Sequence, residues 1–546
     1  MTRRRLSGVL IATSLAVAAC SGDDENDNAD ATSSPTEAAA STTAPAATTT
    51  TVAEPEVTTT TAIATTTTTV APRSATYEAA ATCPMEIPAT VTIEVRCGYL
   101  TVPENRQVPD SNDIRLAVAH LHSPAADARP DPVVELSGGP GFPSLEDIEG
   151  WATSPILERR DLILFDQRGL GFSEPNLDCP ETNEAAVLVF TTNDSGAADG
   201  ELLRASLEVC RLRLEAAGVD LDGYDTIESA ADVADLRVAL DIEQWNLRGV
   251  SYGSALAQAV LRYHPEGIRS VLLDSVVPLD SGLGGVARGE SALRAFGALY
   301  AACAGSADCA STYGDVEAVF AEAAASLDAD PHEVTIPDPV TGEPRLVSID
   351  GGDLYAGLFD AMYDETLIAA LPGAARAIAD GDRGIIDALA PGGIAFLADQ
   401  YEAMTFSVEC ADNGRLYDAA TIEPFLAAHP ELDELVQIGL PEVICPTWGV
   451  EPNPADFNRL LTAADTDVPI IVLAGAFDPI TPPDGSRRVA EALGLDLILL
   501  PNGGHGAVGI DCGRDIWFAF LEDPTVTPDT SCVATLEPPF GSSVTG

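Results

Sequence analysis

Gly249-Val250-Ser251-Tyr252-Gly253 is the stretch on which the reading of this chain turns. The apolar run Trp245–Val250 before it reads as a strand. The small residues Ser254-Ala255-Leu256-Ala257-Gln258-Ala259 after it open a helix that runs to about Tyr263. G-x-S-x-G between a strand and a helix is a sharp turn with the serine at its apex. The two flanking positions need glycine, because a side chain at either would collide with neighbouring backbone. The turn lifts the Ser251 hydroxyl into the open at the positive end of a helix, where a nucleophile belongs. The Tyr252 N–H follows directly and is the first expected donor to a developing oxyanion.

A serine hydroxyl is a weak nucleophile and needs a base. Six histidines offer the choice. His505, in Asn502-Gly503-Gly504-His505-Gly506, directly follows the last apolar strand and is the expected base. His120 and His122 share one face of an early strand and read as a surface strand rather than a metal pair; no metal is expected. His264 precedes Pro265 at a helix end, and His332 and His429 fall in loops or in an insertion. The base needs an acid to hold its tautomer and stabilise the imidazolium. Asp478, in Gly475-Ala476-Phe477-Asp478-Pro479 after the strand Val468–Leu473, is the expected acid. Its rival Asp274 ends the strand after the nucleophile and reads as structural. The second oxyanion donor is expected from Ser137-Gly138-Gly139-Pro140-Gly141. Proline has no N–H, so Gly139 is the choice.

Further out, apolar segments alternate with helical ones. The pattern predicts strands over Thr92–Val102, Ile114–Leu121, Val133–Leu136, Asp161–Phe165, Ile268–Leu273, Val468–Leu473 and Leu495–Leu500. It predicts helices over Ile227–Leu240 and Arg514–Leu521. Such alternation implies an α/β fold, a mostly parallel, doubly wound sheet with helices on both faces. A long Ala-rich, mostly helical stretch interrupts it. It reads as an inserted cap over residues 280–445, with the core formed by 76–279 and 446–546.

Composition narrows the function classes. Of 546 residues 28 are basic, all of them arginine, and 85 are acidic, a formal net charge of −57. No basic stripe exists to neutralise phosphates, so nucleic acid is excluded as a partner. Electrostatic docking to an anionic membrane is excluded on the same ground. The N-terminus reads as an address. Arg3-Arg4-Arg5 is followed by the uncharged apolar run Leu6–Ala19, too short for a permanent span. Leu15-Ala16-Val17-Ala18-Ala19-Cys20 resembles a bacterial lipobox, which implies cleavage after residue 19 and lipid on Cys20. The chain is therefore expected at the cell membrane, lipid-anchored on the extracytoplasmic face. Residues 21–75, rich in Thr, Ala, Ser and Pro, read as a disordered stalk able to reach roughly 180 Å. Of 11 cysteines, Cys20 is set aside. An exported chain without C-x-x-C directs the rest to disulfides. Pairing sequence neighbours gives Cys83–Cys97, Cys179–Cys210, Cys303–Cys309, Cys410–Cys445 and Cys512–Cys532.

With these residues in place, the chain resembles the proline iminopeptidase and tripeptidyl aminopeptidase family of α/β-hydrolases, in its exported branch with the mycobacterial cell-envelope serine proteases. The motifs are S-G-G-P-G-F (137–142), D-Q-R-G-L-G-F-S (166–173), G-V-S-Y-G (249–253), G-A-F-D-P-I-T-P (475–482) and G-G-H-G (503–506). The resemblance covers about residues 83–535. It implies an α/β-hydrolase core, a helical cap, no cofactor, and release of short N-terminal peptides or hydrolysis of esters. Ser251, Asp478 and His505 fall on the family's triad. Ser137 departs from the histidine usual before G-G-P-G, and Arg168 is expected to brace loops. An aminopeptidase must also pair a desolvated ammonium. Glu409 or Asp412, in Val408-Glu409-Cys410-Ala411-Asp412, is the expected grip. A carboxylesterase or lipase with the same triad is the alternative reading. A non-catalytic envelope binding protein is a minor one.

Overall fold

The structure, a computed structural model, describes residues 75–540 apart from 190–196, 339–341, 389, 391–401 and 438–440. The signal peptide, Cys20 and the stalk lie outside the described residues. Four strands open the fold: β1 (Thr76–Ala79), β2 (Val95–Pro103), β3 (Asp113–Leu121) and β4 (Arg129–Leu136). Then come β5 (Arg160–Phe165), β6 (Trp245–Val250) and β7 (Ile268–Asp274). A hairpin of β8 (His332–Pro337) and β9 (Pro344–Ile349) stands apart. The sheet is completed by β10 (Ile470–Gly475) and β11 (Leu497–Leu500).

The nine-stranded sheet runs in the order β1-β2-β3-β5-β4-β6-β7-β10-β11. Strands β1, β2 and β3 pair antiparallel, and β3 pairs antiparallel with β5. From β5 through β4, β6, β7 and β10 to β11 every pairing is parallel. The middle strands are rich in apolar residues because helices cover both faces; every residue of β10 is buried. On one face lie the helices Thr226–Ala239 and Tyr252–Tyr263, whose Val233, Leu236, Leu256 and Val260 join the core. On the other lies Asp511–Glu522, contributing Ile516, Trp517 and Phe520.

Strand β1 was not expected, and its sequence carries no alternation to announce it. It is a short, mostly exposed edge strand held by β2, and the Tyr77 ring lies over Gly98 where a Cβ would not fit. The hairpin β8–β9 was likewise not expected within the mostly helical insertion. Its buried Val334, Ile336, Val347 and Ile349 supply an alternation short enough to be lost among helices.

The five disulfides join the neighbour pairs Cys83–Cys97, Cys179–Cys210, Cys303–Cys309, Cys410–Cys445 and Cys512–Cys532. The fourth ties the helix Glu402–Asn413 to Pro441–Trp448. The inserted segment has its own apolar core around Phe296, Phe320, Tyr355 and Phe359. That core continues onto Phe477 and Ile480, the residues that flank Asp478.

Candidate active site

Ser251 sits at the end of β6 with φ 58° and ψ −131°, a region that L residues seldom occupy. A Cβ on Gly253 would lie inside the Leu136 carbonyl, and one on Gly249 inside the Gly253 carbonyl, so both glycines are compelled by the elbow. The turn is held by the Ser251 N–H donating to the Asp274 carbonyl (3.0 Å) and by the Ser254 hydroxyl donating to the Ser251 carbonyl (2.6 Å).

The base arrives from the loop after β11. Nδ1 of His505 lies 2.9 Å from Oδ2 of Asp478. Asp478 is itself fixed on every side. Its Oδ1 accepts the N–H groups of Ile480 (3.1 Å) and Thr481 (2.9 Å), and its Oδ2 accepts the Thr481 hydroxyl (2.7 Å). The same hydroxyl is 3.2 Å from His505 Nδ1, a third member of the pair that sequence reasoning did not single out. An aspartate on Nδ1 leaves Nε2 as the basic atom. Burial pushes the His505 imidazole down, but the charge and hydrogen bond of Asp478, with Asp274 behind, outweigh it and hold its pKa above the ordinary value of 6.5. Since the neutral form is the base, kcat/KM should fall as pH drops through a midpoint above 6.5. In Asp478→Asn the acid limb should move down, and a pH–rate profile of both proteins checks it.

Asp274, the rival acid, is spent on holding the histidine loop. Its carboxylate accepts the N–H groups of Ala507 (3.0 Å) and Val508 (2.7 Å), while Ser275 Oγ accepts the Gly506 N–H (2.9 Å). One residue therefore fixes Ser251 through its carbonyl and the His505 loop through its side chain. His505 N–H donates to the Tyr363 carbonyl (3.1 Å), and the Tyr363 ring stands 4.9 Å from the imidazole. Tyr363 belongs to the insertion and carries no sequence signal.

The glycine loop lies against the nucleophile. A Cβ on Gly138 would be 3.2 Å from Ser251 Cβ and 3.7 Å from its Oγ. Gly139 follows with φ 106°. Three hydrogen bonds shape the loop. The Ser137 hydroxyl donates to the Phe142 carbonyl (2.7 Å), Gln167 Nε2 to the Ser137 carbonyl (3.0 Å), and the Thr405 hydroxyl of the insertion to the Pro140 carbonyl (2.7 Å). The serine at 137 thus closes the loop locally.

D-Q-R-G resolves into three separate braces. Asp166 accepts the N–H groups of Leu145 (2.9 Å) and Phe172 (2.8 Å). Gln167 holds Ser137. Arg168, with no exposed surface, binds Asp232 through Nε (2.8 Å) and Nη2 (2.7 Å), and through Nη1 the carbonyls of Glu104 (2.6 Å) and Gly223. The helix Thr226–Ala239 carries Asp232, and its first residue, Thr226, meets the Tyr252 hydroxyl at 2.7 Å.

The two carboxylates read as an ammonium grip part company. Asp412 is turned inward, 4% exposed, with its oxygens taken by the N–H and hydroxyl of Thr226 and by Asn453 Nδ2 (2.8 Å). It pins the insertion to the core, and it lines the same small cavity as Glu409. Glu409 borders a small cavity shared with Tyr252 and Leu283, and its Oε2 accepts the Tyr417 hydroxyl (2.5 Å). Arg288 acts electrostatically on Glu409, Asp360 and Tyr363. Burial raises Asp360 to about 6 against the pull of Arg288.

Comparison with known proteins agrees with this geometry. A family model described as "alpha/beta hydrolase fold" matches residues 131–328, which hold Ser251 and the glycine loop. One described as "TAP-like protein" matches residues 437–532, which hold Asp478 and His505. Tripeptidyl aminopeptidase of Streptomyces coelicolor is 30% identical over 194 residues, covering 34% of this chain and 35% of that protein. The chain thus spans about a third of that relative's length. Serine protease Hip1 of Mycobacterium tuberculosis is 25% identical over 480 residues, 79% of this chain and 86% of that one. Proline iminopeptidase of Xylella fastidiosa is 28% identical over 148 residues, 27% of this chain and 33% of that one.

Proposed function

We infer that this α/β-hydrolase is an exported serine peptidase, an aminopeptidase that releases short N-terminal peptides. The observation that carries the reading is the Asp478–His505 hydrogen bond of 2.9 Å, delivered to the same sheet edge as a strained serine elbow. His505 Nε2 takes the Ser251 proton as Oγ attacks the scissile carbonyl. The tetrahedral oxyanion is received by backbone N–H groups of Tyr252 and the Gly138-Gly139 loop. His505 then gives the proton to the leaving amine, and water resolves the acyl-enzyme by the reverse path. Export and anchorage follow from the N-terminal address, with lipid on Cys20 and the stalk carrying the enzyme away from the membrane.

Glu409 supports the exopeptidase side of the reading. Glu409 and Asp412 both line the cavity beside Tyr252, and Glu409, whose hydrogen bonds with Tyr417 and Asn413 both fall on Oε2, is the one assigned to pair a substrate ammonium. The test compares a tripeptidyl chromogenic amide with a free and with an acetylated N-terminus. The free amine should be strongly preferred, and Glu409→Gln should raise its KM about tenfold, or about 1.4 kcal/mol of binding, while turnover of a neutral acyl ester stays unchanged. Equal turnover of the two amides would mean an endopeptidase. Rapid cleavage of the ester with neither amide touched would mean a carboxylesterase, and failure to react with a fluorophosphonate would leave only a binding protein.

A further inference from the structure

His120, His122 and Asp161 cluster at the other end of the sheet. His120 is at the close of β3, His122 just beyond it, and Asp161 at the start of β5. The parallel strands deliver Ser251 and His505 at their carboxyl ends, so this cluster lies away from the catalytic edge. His120 Nε2 (2.8 Å) and His122 Nδ1 (2.9 Å) both meet the same oxygen, Oδ2 of Asp161. The three ligand-capable atoms lie within 4.8 Å of one another. The second oxygen, Oδ1, is held by the Ser123 N–H (2.9 Å), which fixes the carboxylate in place as an outer hydrogen bond fixes a metal ligand.

As a set of hydrogen bonds alone this arrangement is poor. Both imidazoles converge on one oxygen, with ring centroids only 4.0 Å apart. The far nitrogen of His122, Nε2, is buried and has no hydrogen-bond partner, so the ring's polar engagement is at the shared oxygen. We propose that His120, His122 and Asp161 bind a first-row transition dication of the zinc class. His120 Nε2, His122 Nδ1 and Asp161 Oδ2 would be its three protein ligands and water would fill the remaining position. Two imidazoles with one carboxylate suit zinc, copper or nickel and disfavour calcium and magnesium, which take oxygen donors. The side chains keep 20–26% of their surface exposed, so an ion has a way in. Bound there it would staple the end of β3 to the start of β5 and act on stability rather than on chemistry.

The test titrates Zn²⁺ into the chelator-stripped, desalted full chain by calorimetry and follows Tm. One saturable site at micromolar affinity is expected, with Tm rising several degrees at about a hundredfold excess over Kd, while Ca²⁺ gives no rise. His122→Gln and Asp161→Asn, each first shown to fold by its circular dichroism, should bind at least tenfold more weakly. Co²⁺ loaded in place of zinc should show visible bands in the wild type that His122→Gln loses. The proposal is overturned if the wild type shows no saturable site up to about 1 mM Zn²⁺, or if both variants bind as tightly as it does.

Discussion

Replacing Ser251 with alanine should lower kcat by roughly 10⁵–10⁶-fold on amide and ester alike, with Tm and circular dichroism unchanged. The size follows from the division of labour at the site. In the proposed mechanism Asp478 and His505 act through the serine oxygen, so removing Oγ makes the polarised imidazole useless and leaves only the oxyanion donors and substrate binding. The stability forecast follows from the hydrogen bonds of the elbow. The Ser251 N–H, the Ser251 carbonyl and the two compelled glycines hold the turn, and all of these survive in alanine. Steady-state kinetics on a purified sample, with fluorophosphonate labelling as a second readout, checks it. Wild-type turnover in the variant would remove Ser251 from the mechanism. Lost turnover together with a large drop in Tm would make the residue structural.

The second large effect is on stability. Arg168→Met should destabilise the fold by roughly 3–5 kcal/mol, because it breaks a buried ion pair and strands the partner. Arg168 and Asp232 are both at most 1% exposed, and Asp232 would keep only Arg106 at 2.7 Å. The carbonyls of Glu104 and Gly223 would lose their donor at the same stroke. Urea unfolding reads the single variant. Arg168→Met with Asp232→Asn should recover part of the loss, since the excess negative charge facing Arg106 alone is then reduced. A single-variant cost below about 1 kcal/mol would show that Arg168 is not the brace described.

Most of the site's chemistry was legible because it rests on local geometry. The elbow needs glycine at 249 and 253 for reasons contained within a few residues of chain, and the order of serine, acid and base follows the order of the strands. The D-Q-R-G stretch could be recognised as a brace, but not that its three side chains hold three different loops, since Leu145, Ser137 and Asp232 are dictated by packing. The cysteine pairing was legible for a related reason: neighbours in sequence close short loops at small entropic cost, and the longest spans 35 residues.

The amine grip shows the opposite case. Glu409 and Asp412 stand three apart in one acidic turn, and nothing in composition distinguishes them. Only the docking of the helix Glu402–Asn413 on Thr226 and Asn453 decided that Asp412 is tied to the core while both carboxylates line one cavity. Tyr363, Arg288 and Asp360 come from the insertion, where side-chain direction depends on how helices pack over the sheet. The sequence by itself therefore pointed to the alternation of strands and helices and to Ser251, His505 and Asp478 as the candidate triad, because backbone sterics and strand succession are local constraints. The tertiary structure alone decided which partners Glu409 and Asp412 meet, which residues flank the histidine, and that His120 and His122 converge on Asp161 about 40 positions away. Contacts between distant segments are set by the packing of whole elements, and no short stretch of chain records them.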